Sequence, residues 1–239
     1  MIIRFRARLS AALALAVLAC GAPAAAQTGG RPPGEPPPTR LPPEEPPPPF
    51  PQLHGAVADS VRMVIYEYHL AIYERDGAAA VQRVTRASRG YYARMRDLAV
   101  TAPEAQVRAA PLMDRITILM LRHRVSPDEL RALQGDAVFA YTVDHAWVNA
   151  DTFRERPQPT DADVFGAGDR AVMLRPDVNT AFVREDGVWR LDLMPVLERA
   201  SAEFAPDPDS GMTEDELVMM VLQFSDGREP SPDIWQPLP

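Results

Sequence analysis

The sequence predicts an α+β domain with its helices first and an antiparallel sheet after them. Residues from Ala56 to Arg75 repeat apolar side chains at helical spacing. The C-terminal half instead alternates: Trp189, Leu191 and Leu193 interleave with Val188, Arg190 and Asp192, so one face of that strand is buried. Between these regions lie short helical stretches divided by Gly, Pro and capping residues. Elements segregated in this way build α+β rather than βαβ architecture.

The first helix carries two apolar stripes. Val57, Val61, Val64, Ile65, Tyr68 and Ile72 form one; Met63, Tyr66, Leu70 and Tyr73 form the other. A helix apolar on two sides is expected to be hidden on both. Asp76-Gly77 is expected to end it, with Gly as a left-handed cap. Ala78 to Ala87 reads as a short helix and Tyr91 to Val100 as another, with Ser88-Arg89-Gly90 breaking between them. Pro103 opens a further helical stretch, followed by Leu112 to Arg124, where Arg122-His123-Arg124 suits the negative end of the helix dipole. Ser126-Pro127-Asp128-Glu129 has the form of a capping box, predicting a helix from Pro127 to Leu133.

From Gly135 the pattern changes. Ala137 to Val143 fits helix or strand, Trp147 to Phe153 reads as a strand, and Val164 to Leu174 as one strand interrupted by Gly166 and Gly168. Val178 to Arg184 and Val188 to Leu193 form a hairpin around Glu185-Asp186-Gly187, with Gly where positive φ is needed. A helix follows from Val196 to Glu203, and Thr213-Glu214-Asp215-Glu216 caps another that runs to Phe224. Pro230 to Pro239 is an extended tail whose Ile234 and Trp235 are expected to pack back on the domain, because burying a large apolar side chain gains about 1.5–3 kcal/mol.

The N-terminal residues do not read as domain. Residues 1–26 have the form of an export signal: Arg4, Arg6 and Arg8, an apolar run from Leu9 to Ala19, and Ala24-Ala25-Ala26 before Gln27. Cys20 after Val17-Leu18-Ala19 leaves the alternative of lipid attachment there, although Leu18 is bulky for such a signal. Either route predicts a chain outside the cytoplasm, periplasmic or secreted, or lipid-anchored to the membrane through Cys20. Residues 31–51 hold 12 prolines, too few apolar groups for a core, so residues 27–53 read as a disordered, semi-rigid spacer extending about 3 Å per residue. The expected layout is a signal at 1–26, a linker at 27–53, an α+β domain at 54–204, and a C-terminal helix and tail at 205–239.

Composition removes several chemistries. All 25 basic residues are Arg, which excludes lysine Schiff bases and a phosphate-binding-loop lysine. Cys20 is the only cysteine, so an intramolecular disulfide, a thiolate zinc cluster or an iron–sulfur site is excluded. Without the three arginines of residues 1–26 the net charge moves from −8 to −11, which argues against nucleic acid as a bulk partner. The charge is divided: residues 75–131 carry 11 Arg against six acids, residues 132–239 eight Arg against 21 acids. His54, His69, His123 and His145 form no HExxH or i,i+4 pair, and no Gly-x-Ser-x-Gly elbow occurs. Neither a metal nor a cofactor is expected.

The hairpin Phe182-Val183-Arg184-Glu185-Asp186-Gly187-Val188-Trp189-Arg190-Leu191-Asp192-Leu193, after a long amphipathic helix and small helices, resembles the nuclear-transport-factor-2-like superfamily, also called SnoaL-like or ketosteroid-isomerase-like. Tyr91-Tyr92 through Leu98, Leu119 to Arg124, and Ile234-Trp235-Gln236-Pro237-Leu238 are similar to an exported bacterial branch of it. The resemblance covers about residues 56–200. It implies a cone, a curved antiparallel sheet bent round the first helix, with Tyr66, Tyr73, Trp147 and Trp189 lining its pocket. It also implies dimerisation through the sheet.

The reading that results is an exported, non-catalytic module that binds a protein partner or small apolar ligand through the cone or the sheet face. One alternative is a lyase- or isomerase-type enzyme. It would pair a tyrosine (Tyr66 or Tyr68) with a carboxylate (Asp192 or Asp144), but none of these matches a catalytic motif, so no catalytic residue is assigned. The other is a structural role at the envelope. Arg94 with Arg96 and Arg122 with Arg124 are candidate anion contacts, against the plainer role of helix-end ion pairs.

Overall fold

The computed structural model describes residues 50–147, 156–175, 179–206 and 211–238. The residues read as an export signal, Cys20 and all but the end of the Pro-rich stretch lie outside these residues, as do Val178 and the segment after Trp147 read as a strand.

Helix α1 (Gly55–Glu74) packs Ala58, Val61, Val64, Ile65, Tyr68 and Ile72 into the core. The expectation that its second stripe is equally hidden is corrected. Met63 is 42% and Tyr73 40% exposed, while Tyr66 and Leu70 are half-buried. Val57, at the first turn, is also exposed. The chain leaves α1 through Arg75, itself in the left-handed region at φ 56°. Asp76 caps the next helix, α2 (Gly77–Arg83), accepting the Ala79 amide at 2.8 Å. Gly77 is thus no helix terminator. It is buried at a helix start, where a side chain would strike the neighbouring helix.

Thr85 caps α3 (Arg86–Thr101), which passes through Ser88-Arg89-Gly90 without a break. The cap hydroxyl takes the Ser88 amide and helical packing outweighs the propensity cost of one Gly, about 1 kcal/mol. Helices α4 (Glu104–Arg108), α5 (Leu112–Arg124) and α6 (Pro127–Ala132) follow. The Ser126 hydroxyl caps α6 through the Glu129 amide. The ambiguous stretch is helix α7 (Ala137–Asp144), with Val138, Phe139 and Val143 buried.

Among the described residues four strands form an antiparallel meander: β1 (Val164–Ala167), β2 (Arg170–Met173), β3 (Thr180–Glu185) and β4 (Val188–Asp192). The single strand read from Val164 to Leu174 is in fact the β1–β2 hairpin, turning at Gly168 with φ 60° and Asp169. The glycines that looked like interruptions mark the turn and, at Gly166, a close approach. The β3–β4 hairpin closes with a two-residue turn, Asp186 at φ 52° and Gly187 at φ 79°, as a primed turn requires.

Helix α1 packs across β4 and β1. On the core side of the sheet Gly166, Ala171, Phe182 and Leu191 share one buried row across the strands, with Trp189 beyond them. Helix α8 (Met194–Glu203) and helix α9 (Glu214–Asp226) both pack on α5. The Thr213 box forms in full: the hydroxyl takes the Glu216 amide and the Glu216 carboxylate takes the Thr213 amide at 2.8 Å. The tail is folded rather than extended, with a turn at Ser231–Ile234, and it buries Ile234 and Trp235 against the helices.

Candidate interaction face

Both edges of the sheet are occupied. On the β1 edge, the Leu53 amide donates to the Val164 carbonyl at 2.7 Å and the Gly166 amide to the Pro51 carbonyl at 2.9 Å, with Gln52 bridging Phe165. On the β4 edge, the Thr85 amide donates to the Leu191 carbonyl at 3.0 Å, and the Arg190 guanidinium reaches the Gln82 carbonyl. The β1 edge is thus covered by Pro51–Leu53, and the β4 edge at Leu191 by the segment before α3, which shortens the length of edge open to another strand.

One face is the core side. The other is half-exposed and largely apolar. Alternation and register place Phe165, Val172, Ala181 and Asp192 in one row across the four strands, and Ala167, Arg170, Val183 and Arg190 in the next. Phe165, Val172, Ala181 and Val183 are partly open to water, and Val188 is exposed at the end of the hairpin. The charges on this face are exposed Arg170, with Arg190, Asp192 and Glu185 toward the β4 side. Arg190 lies 3.5 Å from the Glu185 carboxylate.

The sequence pattern contains the signal for this face. In Thr180–Glu185 both alternate sets are apolar, Phe182 on one and Ala181 with Val183 on the other. A strand apolar on both sides expects cover on both.

The predicted pocket residues are not gathered. Tyr66 and Tyr73 lie on the open stripe of α1 and Trp189 is buried under the sheet. Trp147 is buried just after α7, 5.8 Å edge-on to Tyr141, with the Arg124 guanidinium 5.0 Å over its ring. No ring contact joins any two of the four. The candidate carboxylates are engaged by the main chain: Asp144 accepts the Gly77 amide at 2.7 Å and Asp192 the Met194 amide at 3.2 Å.

The candidate anion-binding arginines have separate structural tasks. Arg122 is buried and donates to four carbonyls: Ala99 at 2.8 Å, Ala102 at 2.6 Å, Leu98 at 3.4 Å and Ile234 at 3.2 Å. It closes the C-terminal end of α3 and pins the tail there; burial lowers its pKa to about 10. Arg96 binds the Leu130 and Arg131 carbonyls at the end of α6. Arg94 is exposed, 3.8 Å from Asp114 and over the Tyr91 ring. Arg124 stacks on Trp147 as above, and burial lowers its pKa.

Tyr91 and Tyr92 are buried and their hydroxyls are pushed far up by desolvation, so neither ionises near neutrality. The Tyr91 hydroxyl meets the Thr117 hydroxyl at 3.2 Å. His145 stacks on Tyr141 with centroids 3.8 Å apart, and His123 lies 3.0 Å from Asp226. Among the described residues no three His, Cys, Asp or Glu side chains gather as a metal site, and no helix is long and apolar enough to cross a membrane.

No protein-family model, curated protein or solved structure matches this chain.

Proposed function

We propose that this chain is an exported, non-catalytic interaction module that docks a second copy of itself through the outer face of its sheet. The carrying observation is the half-exposed apolar row Phe165–Val172–Ala181 with Val183, on a sheet whose two edges each carry a neighbouring segment. Self-docking would bury no unpaired charge at the centre of this patch, since Arg190 is already paired with Glu185 and Asp192 accepts the Met194 amide, and isologous contact is the commonest form of association. The resemblance to the nuclear-transport-factor-2-like superfamily belongs to the same reading, with a cone formed by the sheet bending round α1. Export rests on residues 1–26, with cleavage before Gln27 and lipid attachment at Cys20 as the two routes.

Two measurements test this. Sedimentation of the chain from Gln27 onward, up to roughly 200 μM, should show a dimer, and Val183→Glu should leave a folded monomer by burying a charge in the interface. A wild-type chain that stays monomeric throughout would remove the self-docking reading. Mass spectrometry of the N-terminus after expression with residues 1–26 intact tests export; an unprocessed Met1 in the cytoplasm would contradict it.

A further inference from the structure

Away from the sheet, helix α9 and the tail that returns beside it leave an open groove of about 560 Å3. Its walls are apolar at depth and acidic at the margin. Met219, Met220 and Trp235 supply the apolar part, and Asp215, Glu216 and Glu229 the carboxylates. Phe224, one turn beyond Met220 on α9, is 57% exposed and extends the apolar stripe past the groove.

The single cation in the lining, Arg108, is already committed. Its guanidinium stacks 4.0 Å over Trp235, binds Glu104 at 2.7 Å and reaches Asp215. Asp215 also receives Arg115 at 2.9 Å. Among the described residues neither Glu216 nor Glu229 has a cationic partner. Nearby Glu214 and Asp226 are paired with Arg115 and Arg228, so Glu216 and Glu229 carry the groove's uncompensated charge. A negative concave surface attracts cations and repels phosphate-bearing partners. Unbranched methionines adapt to irregular apolar side chains, which suits a peptide rather than one rigid small molecule.

We propose that the α9–tail groove receives a cationic amphipathic helix of a protein partner. Its apolar side chains would meet Met219, Met220 and Phe224, and its arginines or lysines Glu216 and Glu229. This is helix-in-groove recognition with an acidic rim. It is independent of the sheet-face reading, because no residue is shared.

The test uses the chain from Gln27 onward and a fluorescein-labelled 16-residue Leu/Arg amphipathic peptide, read by anisotropy. Binding at roughly micromolar to tens of micromolar Kd is expected in low salt, weakening about fivefold or more in half-molar NaCl. Glu229→Arg, at an exposed position, and Met220→Glu should each weaken it about tenfold, while Val183→Glu on the sheet leaves it unchanged. Absence of binding up to roughly 500 μM, equal binding of a Leu/Glu peptide of the same pattern, or unaltered affinity in Glu229→Arg would overturn the proposal. Loss of affinity in Val183→Glu alone would move the site to the sheet face and overturn it equally.

Discussion

A Cβ on Gly77 would stand 2.3 Å from the carbonyl oxygen of Ala140, and 2.6 Å from the Asp144 carboxylate that already accepts the Gly77 amide. Helices α2 and α7 therefore touch backbone to backbone at this point. Gly77→Ala should destabilise the chain by about 3 kcal/mol, since the obstacle is main chain that cannot rotate aside. Gly90 is the control. It lies inside α3 with open space where its Cβ would go, so Gly90→Ala should stabilise by about 0.5–1 kcal/mol. Urea denaturation of both variants checks the pair; equal effects would refute the contact argument.

Arg122 joins α5 to the end of α3 and to the tail. Arg122→Met keeps much of the volume but takes the Arg122 donor from the buried carbonyls of Ala99, Ala102 and Ile234, while Leu98 still accepts the Ala102 amide, at a cost of about 3 kcal/mol. The tail should loosen first. Trypsin should then cut after Arg228 faster than in wild type while the remaining domain stays folded. An unchanged cleavage rate would show that Ile234 and Trp235 hold the tail without Arg122.

His69 is buried, and desolvation followed by the charge of Arg175 lowers its pKa from 6.5 to about 3. The folded chain thus keeps it neutral between these values, while the unfolded chain protonates it below pH about 6.5. Stability is lost as pH falls from about 6.5 toward 3, by up to about 1.4 kcal/mol per unit from this one residue. His69→Gln removes that slope. Denaturation of both chains between pH 4 and 7 should give a difference that varies with pH; a constant difference would contradict the assignment.

Gly166 admits the strand-like segment before α1. A Cβ there would lie 2.7 Å from the Arg170 carbonyl oxygen and 2.8 Å from the Leu53 side chain. Gly166→Ala should cost about 2 kcal/mol and displace residues 51–53 from the β1 edge. Hydrogen exchange at the Leu53 amide should accelerate much more than at the β3–β4 amides. Uniform acceleration across the sheet would mean that the segment is not a separable unit.

The sequence was legible where local chemistry and packing agree. The primed turn at Asp186-Gly187, the Thr213 box and the alternation of Trp189 with Leu191 each name their own structure. It misled where a residue serves two masters. Gly77 looked like a terminator because a cap and a close helix contact both select Gly. Gly166 and Gly168 looked like flaws in one strand because a hairpin turn and a steric gap are indistinguishable in one dimension. Tyr66 and Tyr73 carry the right spacing for burial, but spacing does not say whether a second layer exists to cover them. The outer sheet face was the least visible, since Val172, Ala181 and Val183 are common strand residues with no chemical signature.

The junction at Pro51–Leu53 also has a mechanical side. Force applied at Pro51 would reach two main-chain hydrogen bonds at the rim of the sheet, Leu53 to Val164 and Gly166 to Pro51, before helix α1. Load would strip this short strip like adhesive tape before stretching the interior.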